Sequence, residues 1–422
     1  MPYEGFVNLG FKPKSKDVQC LFYIEPPKGK TLAWSAERIA GESSIGTWVD
    51  VVTEKKAIGH LSPTVYRIKK NSGFVYINYP IELFEPGNMP SVWSGICGNI
   101  YGMKEVVNLR LVDVRFPLSF LKAYSGPKYG IEGVRKLLKV KKRPLIGTIV
   151  KPKLGLPPRE HARVAYEAWV GGCDIVKDDE NLSSQKFNPF EERTKITLRM
   201  KEKAEKETGE PKAYLVNVTA EAEEMIRRAH FAKKQGANYI MVDVVTVGMS
   251  GLQTLREYGP QLPLHAHRAM HAMITRNKKH GMTMLALGKF LRLIGVDTLH
   301  VGTGEVGKME GNPRDANETA NIMRDKKTSE GKTHLPQDWA HIRPLLPVAS
   351  GGLYAGSLPK LVEIFGTDFV AQAGGGVHGH PDGTRAGAVS MRQALDSVMK
   401  GIPLEDYAKT HIELKKALQV FK

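Results

Sequence analysis

Cysteine is scarce: Cys20, Cys97 and Cys173 are far apart and odd in number across 422 residues. That excludes a disulfide-stapled secreted scaffold and fits a reducing compartment. Long apolar runs are also missing. No stretch reaches the roughly eighteen residues needed to cross a bilayer, and the first segment, MPYEGFVNLGFKPKSKD, has no apolar centre of a secretory leader. A cytoplasmic protein with no membrane partner is therefore expected. Low-complexity tracts, zinc-finger Cys/His spacing and a basic arm are absent too, and no GxGxxG opens the first strand-helix unit, which argues against disordered, nucleic-acid-binding and dinucleotide-binding classes.

Positive charge is what the chain has in excess, with 61 Lys and Arg against 44 Asp and Glu and a formal net charge of +17. It would attract phosphorylated or otherwise anionic partners, nucleic acid included. The charge is scattered, and its densest stretch, KEKAEKETGE (Lys201 to Glu210), mixes signs like a solvated helix face ending at glycine. No nucleic-acid partner is expected.

The length exceeds what one hydrophobic core usually supports. Residues 1–125 are expected to form an α+β, ferredoxin-like domain. Strands are predicted at Gln19 to Ile24, Thr64 to Ile68, Phe74 to Tyr79 and Val106 to Val114, with helices at Leu32 to Ile39 and Ser91 to Tyr101. Residues 126–400 have another rhythm, in which β-branched runs alternate with helical patterns. The runs are Leu145 to Val150, Cys173 to Val176, Ala213 to Val218, Tyr239 to Val244, Leu262 to Ala266, Thr298 to Val301, Leu345 to Ala349 and Phe369 to Ala373. Eight such units predict a (β/α)8 TIM barrel, followed by a short helical tail over 401–422.

Barrel chemistry sits at the carboxyl ends of the strands. There the runs deliver Lys151 and Lys153, then Lys177 to Glu180, then Asn217, then His265, His267, Arg268 and His271, then His300, then Ser350 to Gly352, and finally Gln372 with Gly374 to Gly376. Strand alternation puts Lys177 and Asp179 on one face and Asp178 on the other. Asp179 and Glu180 are hard oxygen donors suited to Mg²⁺. A protonated Lys177 would oppose that ion, whereas a carbamate formed with carbon dioxide would supply an anionic oxygen ligand. The two glycine runs can offer backbone N–H groups to an anion at either side of the rim. His265 and His271 are expected to support their neighbours, and His161, His280 and His411 to lie on surface helices.

Taken together, KPKLGL (Lys151 to Leu156), GGCDIVKDDENL (Gly171 to Leu182), HAHRAMHAMITRNKKHGM (His265 to Met282), GTGEVGKMEG (Gly302 to Gly311), PVASGG (Pro347 to Gly352) and QAGGGVHGHPDG (Gln372 to Gly383) resemble the large subunit of ribulose-1,5-bisphosphate carboxylase/oxygenase. The archaeal, methanogen-like group is the most similar in length and wording.

The resemblance implies roles residue by residue. Lys177 is similar to the carbamylated lysine, with Asp179 and Glu180 as further Mg²⁺ ligands, and Lys151 to the lysine that protonates the product carbanion, with Lys153 beside it. His267 would lie near the substrate's C-3 oxygen, Arg268 and His300 at the C-5 phosphate, and Ser350 at the hydroxyls. Gly351, Gly352, Gln372, Gly374 and Gly375 would complete the substrate contacts, and Lys308 would be carried by a mobile lid. Glu42, Thr47, Trp48 and Asn99 resemble residues that complete the site of a neighbouring subunit, so a homodimer or an oligomer of dimers is implied.

The implied reaction enolises ribulose 1,5-bisphosphate and adds CO₂ to give two molecules of 3-phosphoglycerate, with O₂ as the competing reactant. In the archaeal group it serves nucleoside monophosphate salvage. The alternative is a carboxylase-like homologue that enolises another phosphorylated ketone.

Overall fold

The computed structural model describes residues 3–49, 51–53, 56–304, 306–307 and 313–421. Lys308 lies outside them. The chain divides into two compact units: residues 1–126, 270–294 and 325–342 form one, and residues 127–269, 295–324 and 343–422 the other.

The first unit is a sheet with helices. Strands β1 (Val18–Glu25), β2 (Thr64–Lys69), β3 (Phe74–Tyr79) and β4 (Asn108–Arg115) lie in the order β4-β1-β3-β2, all antiparallel to their neighbours. Helix Leu32–Glu42 falls between β1 and β2, and helix Met89–Cys97 between β3 and β4. This is the split βαβ arrangement of a ferredoxin-like unit. The second helix is shorter than its apolar pattern predicts, because Gly98 breaks it before the one-turn segment Asn99–Gly102. A two-residue strand, Gly281–Met282, adds parallel to β4 at the sheet edge. Helix Met284–Ile294 has Leu285 through Ile294 buried, and its Lys289 Nζ meets Asp113 Oδ2 at 2.7 Å with both side chains out of solvent. A second donor, Leu335 N, reaches the same oxygen at 2.7 Å, while Asp113 Oδ1 is buried with no partner among the described residues.

The second unit is a closed barrel of eight parallel strands: Leu145–Ile149, Ile175–Lys177, Ala213–Asn217, Tyr239–Asp243, Leu264–His267, Thr298–His300, Leu346–Ser350 and Val370–Gln372. They are called the first to eighth barrel strands below. All eight predicted runs are in it. At its amino end, Leu145, Ile175, Ala213, Tyr239, Leu346 and Val370 pack together, each the first residue of its strand, with Val134 and Leu138 of helix Gly130–Leu138 against them. Leu215, Met241 and Val348 make the next layer, two residues on, as strand alternation requires.

The helices between strands carry local signals. Pro158 opens Pro158–Val170, and Phe190–Thr208 starts after Pro189 with Glu191 and Glu192 in its first turn and ends at a left-handed Gly209. Lys201, read as part of a solvated face, is instead buried and paired with Glu205 at 2.9 Å. Short helices at Leu404–Tyr407 and Ile412–Val420 close the chain.

Candidate active site

Ile175 faces the barrel interior, and alternation carries Lys177, two residues later, to the same side. The lysine is 1% exposed. Burial lowers its pKa, while Glu180, Asp179 and Asp243 act in the opposite direction. Its Nζ donates to Asp178 O at 2.8 Å and lies 3.3 Å from Glu180 Oε2. Burial would raise the pKa of Glu180, but Lys177 and His267 draw it down to about 2. Asp179 is paired with Lys151 Nζ at 2.7 Å, and Lys153 Nζ is 3.6 Å from Glu180 Oε1.

Asp178 points away, as alternation predicts. It accepts from Tyr214 OH at 2.5 Å and Asn217 N at 3.0 Å, with Arg193 Nε at 3.3 Å and His161 Nε2 at 3.0 Å. Its burial is outweighed by Arg193 and His161, which hold the carboxyl well below its ordinary range. His161 is therefore a buried partner of the strand end, which corrects its expected place on a helix surface. Asn217 Nδ2 donates to the carbonyls of Asp179, Glu180 and Leu182 at 3.3, 3.2 and 3.1 Å. One amide from the third barrel strand thus pins the turn that carries both carboxylates.

His267 bridges inward and sideways: Nδ1 is 2.8 Å from Asp243 Oδ1, and Nε2 is 3.5 Å from Glu180 Oε2. Asp243 closes the strand YIMVD and gave the same signal as the other strand ends, yet the rim inferred from sequence passed over it. His300 lies between His265 (Nε2 to Nε2, 2.9 Å) and Ser350 (Nδ1 to Oγ, 2.5 Å). Burial drives both His265 and His300 well below the ordinary imidazole pKa, so both are neutral. The positive charge of Arg268 acts on His300 from nearby. Burial brings its guanidinium pKa down to about 10, still protonated at neutral pH, and it has no ion-pair partner among the described residues.

On the opposite side, a Cβ at Gly374 would stand 3.2 Å from Lys151 Cε, which places the eighth strand's glycine run beside the first strand's lysine. The hydrogen bonds of that run begin when Val377 N and His378 N donate to Gly374 O. Gly351 and Gly352 have φ of 116° and 78°, a backbone that only glycine adopts without strain. Gln372 is buried and its Nε2 has no partner among the described residues. Thr148 and His378 form a further pair at 3.0 Å that the sequence pattern did not signal.

The other unit holds a cleft lined by Tyr3, Glu42, Trp48, Asn99, Gly102 and Met103. Asn99 Nδ2 donates to Glu42 Oε1 at 3.2 Å, Tyr3 OH donates to the same carboxylate, and Thr47 Oγ1 turns back to Val49 O. Trp48 is 80% exposed. Glu42, Trp48 and Asn99 therefore converge, and Thr47 adjoins them in sequence.

Among the described residues no three His, Cys, Asp or Glu side chains form a metal cluster. The donor set is two carboxylates and a buried lysine. It suits a hard cation once the amine becomes an anionic oxygen donor.

Fold and rim define an α/β-barrel enzyme whose strand ends bring lysines, carboxylates and histidines to one face. Residues 130–421 match the family described as ribulose bisphosphate carboxylase large chain, catalytic domain, and residues 5–120 match its N-terminal domain. The chain belongs to the ribulose bisphosphate carboxylase large-chain family. It is 52% identical to the ribulose bisphosphate carboxylase of Methanocaldococcus jannaschii over 99% of this chain and 100% of that one. It is 50% identical to the Methanosarcina mazei enzyme over 98% of each. Among solved structures, the dimeric archaeal Rubisco of Hyperthermus butylicus superposes with a TM-score of 0.92 at 44% identity, covering 99% of this chain and 98% of that one. The octameric enzyme of Pyrococcus horikoshii also gives 0.92, at 43% identity over 99% and 96%.

Proposed function

We propose that this protein carboxylates ribulose 1,5-bisphosphate to two molecules of 3-phosphoglycerate, with oxygenation as a side reaction. The observation that carries this is the buried amine of Lys177 beside Glu180 and Asp179 at the carboxyl end of the barrel. Burial favours the neutral, nucleophilic amine. Its nitrogen adds to the carbon of CO₂ and loses a proton, leaving a carbamate that can join Asp179 and Glu180 as ligands of Mg²⁺. When bound there, the ion would supply positive charge to the oxygens of the substrate's enediolate.

The chain's own residues would do the rest. The carbamate oxygen or an alkoxide, held within hydrogen-bond reach, would take the C-3 proton as general base. His267, held by Asp243, faces the reacting carbons, and Lys151 returns a proton to the product carbanion, with Lys153 alongside. Arg268 pairs with one phosphate, while the N–H groups of the Gly351–Gly352 and Gly374–Gly375 runs, together with Gln372, bind substrate around the rim. His300 joins Arg268 at the C-5 phosphate, and Ser350 orients the hydroxyls. Lys308 keeps its lid assignment from the resemblance. Glu42, Thr47, Trp48 and Asn99 of a second copy would complete each site, which requires a homodimer or a larger assembly of dimers. The reaction would serve nucleoside monophosphate salvage, the role that the resemblance to the archaeal group implies.

The test supplies ribulose 1,5-bisphosphate, Mg²⁺ and labelled bicarbonate to the CO₂-activated enzyme without oxygen. Labelled 3-phosphoglycerate is expected. Its absence would overturn the proposal in favour of enolisation of another phosphorylated ketone.

A further inference from the structure

A line of hydrogen bonds crosses the barrel interior from its amino end to the rim. Tyr239, packed in the apolar cluster, donates its hydroxyl to Thr298 Oγ1 at 3.2 Å. Thr298 Oγ1 lies 2.9 Å from His265 Nδ1, His265 Nε2 lies 2.9 Å from His300 Nε2, and His300 Nδ1 lies 2.5 Å from Ser350 Oγ. Tyr239, Thr298, His265 and His300 are all buried.

The direction of such a line is decided by its blind end. The two hydroxyl protons of Tyr239 and Thr298 both need acceptors, and no other partner reaches either oxygen among the described residues. Tyr239 therefore gives its proton to Thr298, and Thr298 gives its own to His265 Nδ1. Any other arrangement strands a buried hydroxyl proton, which costs more than a hydrogen bond returns. A neutral imidazole that accepts at one nitrogen donates at the other. His265 thus carries its proton on Nε2 and donates to His300 Nε2, leaving His300 protonated on Nδ1 and donating to Ser350 Oγ. With its oxygen occupied as an acceptor from within, Ser350 turns its own proton outward. In the reverse direction Ser350 would spend that proton on His300 and offer only lone pairs.

We infer that Tyr239 and Thr298 are positioning residues that fix the tautomers of His265 and His300 so that Ser350 presents a hydrogen-bond donor to a substrate oxygen. This rests on the assignment of Ser350 to the substrate hydroxyls. Neither positioning residue touches substrate. They act through two imidazoles.

The test reads imidazole ¹⁵N shifts of the full-length, histidine-labelled protein at neutral pH without substrate, with signals assigned by His265→Gln and His300→Gln. The expected pair is Nε2–H on His265 and Nδ1–H on His300, and the opposite pair overturns the inference. Thr298→Ser should keep both tautomers and native kcat. Thr298→Val, almost the same shape, should mix the tautomers and lower kcat roughly tenfold, about the worth of one hydrogen bond, with a smaller change in KM. Native tautomers and native kcat in Thr298→Val would also overturn it. Because the shifts are read without substrate, the expected tautomers in a protein that forms no labelled 3-phosphoglycerate would count against the carboxylase proposal and not against the direction of the line.

Discussion

The two ends of the barrel use the same residue types in opposite ways. At the amino end, Asp174 is gripped by two nitrogens of Arg143 at 2.7 Å each and accepts Ile146 N at 2.8 Å. Asp297 takes Tyr129 N and Gly130 N on one oxygen and Leu264 N and Arg256 on the other. These acids are saturated by rigid donors and have nothing left to bind. At the carboxyl end, Asp179 meets Lys151 and Asn181 N, and Glu180 meets Lys177, Lys153 and His267, at 2.7 to 3.6 Å; the contacts with the flexible lysine ends are ones that a metal ion or a carbamate can replace. Whether an acid stabilises the fold or does chemistry is set by how fully its lone pairs are already used.

Breaking the carboxyl end at its centre should have the largest effect. Lys177→Ala is expected to abolish CO₂-dependent activation and lower kcat by at least about 10³-fold. Stability should hold or rise, since a buried amine is removed. Pre-incubation with CO₂ and Mg²⁺ followed by the assay measures the first, and urea unfolding the second. Retained activation would refute the carbamate.

Asp174→Ala is the counterpart at the amino end. It leaves Arg143 unpaired and should cost about 3–5 kcal/mol in urea unfolding, with the folded fraction keeping its specific activity. A loss of kcat without a loss of stability would erase the contrast between the ends.

Acid should separate them as well. Burial, with Lys151 nearby and against the carbonyl of Ile149, holds His378 at about 4 from an ordinary 6.5. The unfolded chain therefore binds a proton below pH 6.5 that the folded one refuses until about 4. Stability should fall as pH drops through that window, His378 contributing up to about 3 kcal/mol beside the equally neutral His265 and His300, and His378→Gln should reduce the slope. Asp174, lowered in pKa mainly by Arg143 against its burial, keeps its contribution until pH falls below the unfolded carboxylate value. It adds nothing to the slope in that window.

The mildest test is Asp243→Asn. It frees His267 without removing it and should reduce kcat by roughly 10- to 100-fold, the usual effect of losing a residue that orients a functional side chain. An unchanged kcat would show that His267 needs no such support.

Much of this was legible in the chain. The eight strands follow from apolar runs, and Lys177 could be turned inward by counting two residues from Ile175. Boundaries moved where a side chain is held elsewhere. Cys173 and Asp174 read as strand, but the second barrel strand begins at Ile175, after Asp174 has joined Arg143. His161 reads as a surface histidine because its helix is amphipathic, and only the packing of Pro158–Val170 on the second and third strands puts it against Asp178.

By itself, then, the sequence determined the strand count, the face each strand residue takes and the family, all carried by local periodicity and ordered motifs. Lys177 and its two carboxylates lie within four residues, so their proximity is local too. Tertiary structure alone decided which charges are spent and which are available. The Asp243–His267, His300–Ser350 and Lys151–Asp179 pairs join residues 24, 50 and 28 positions apart. Such contacts depend on which strands are neighbours in the closed barrel, which no local pattern encodes.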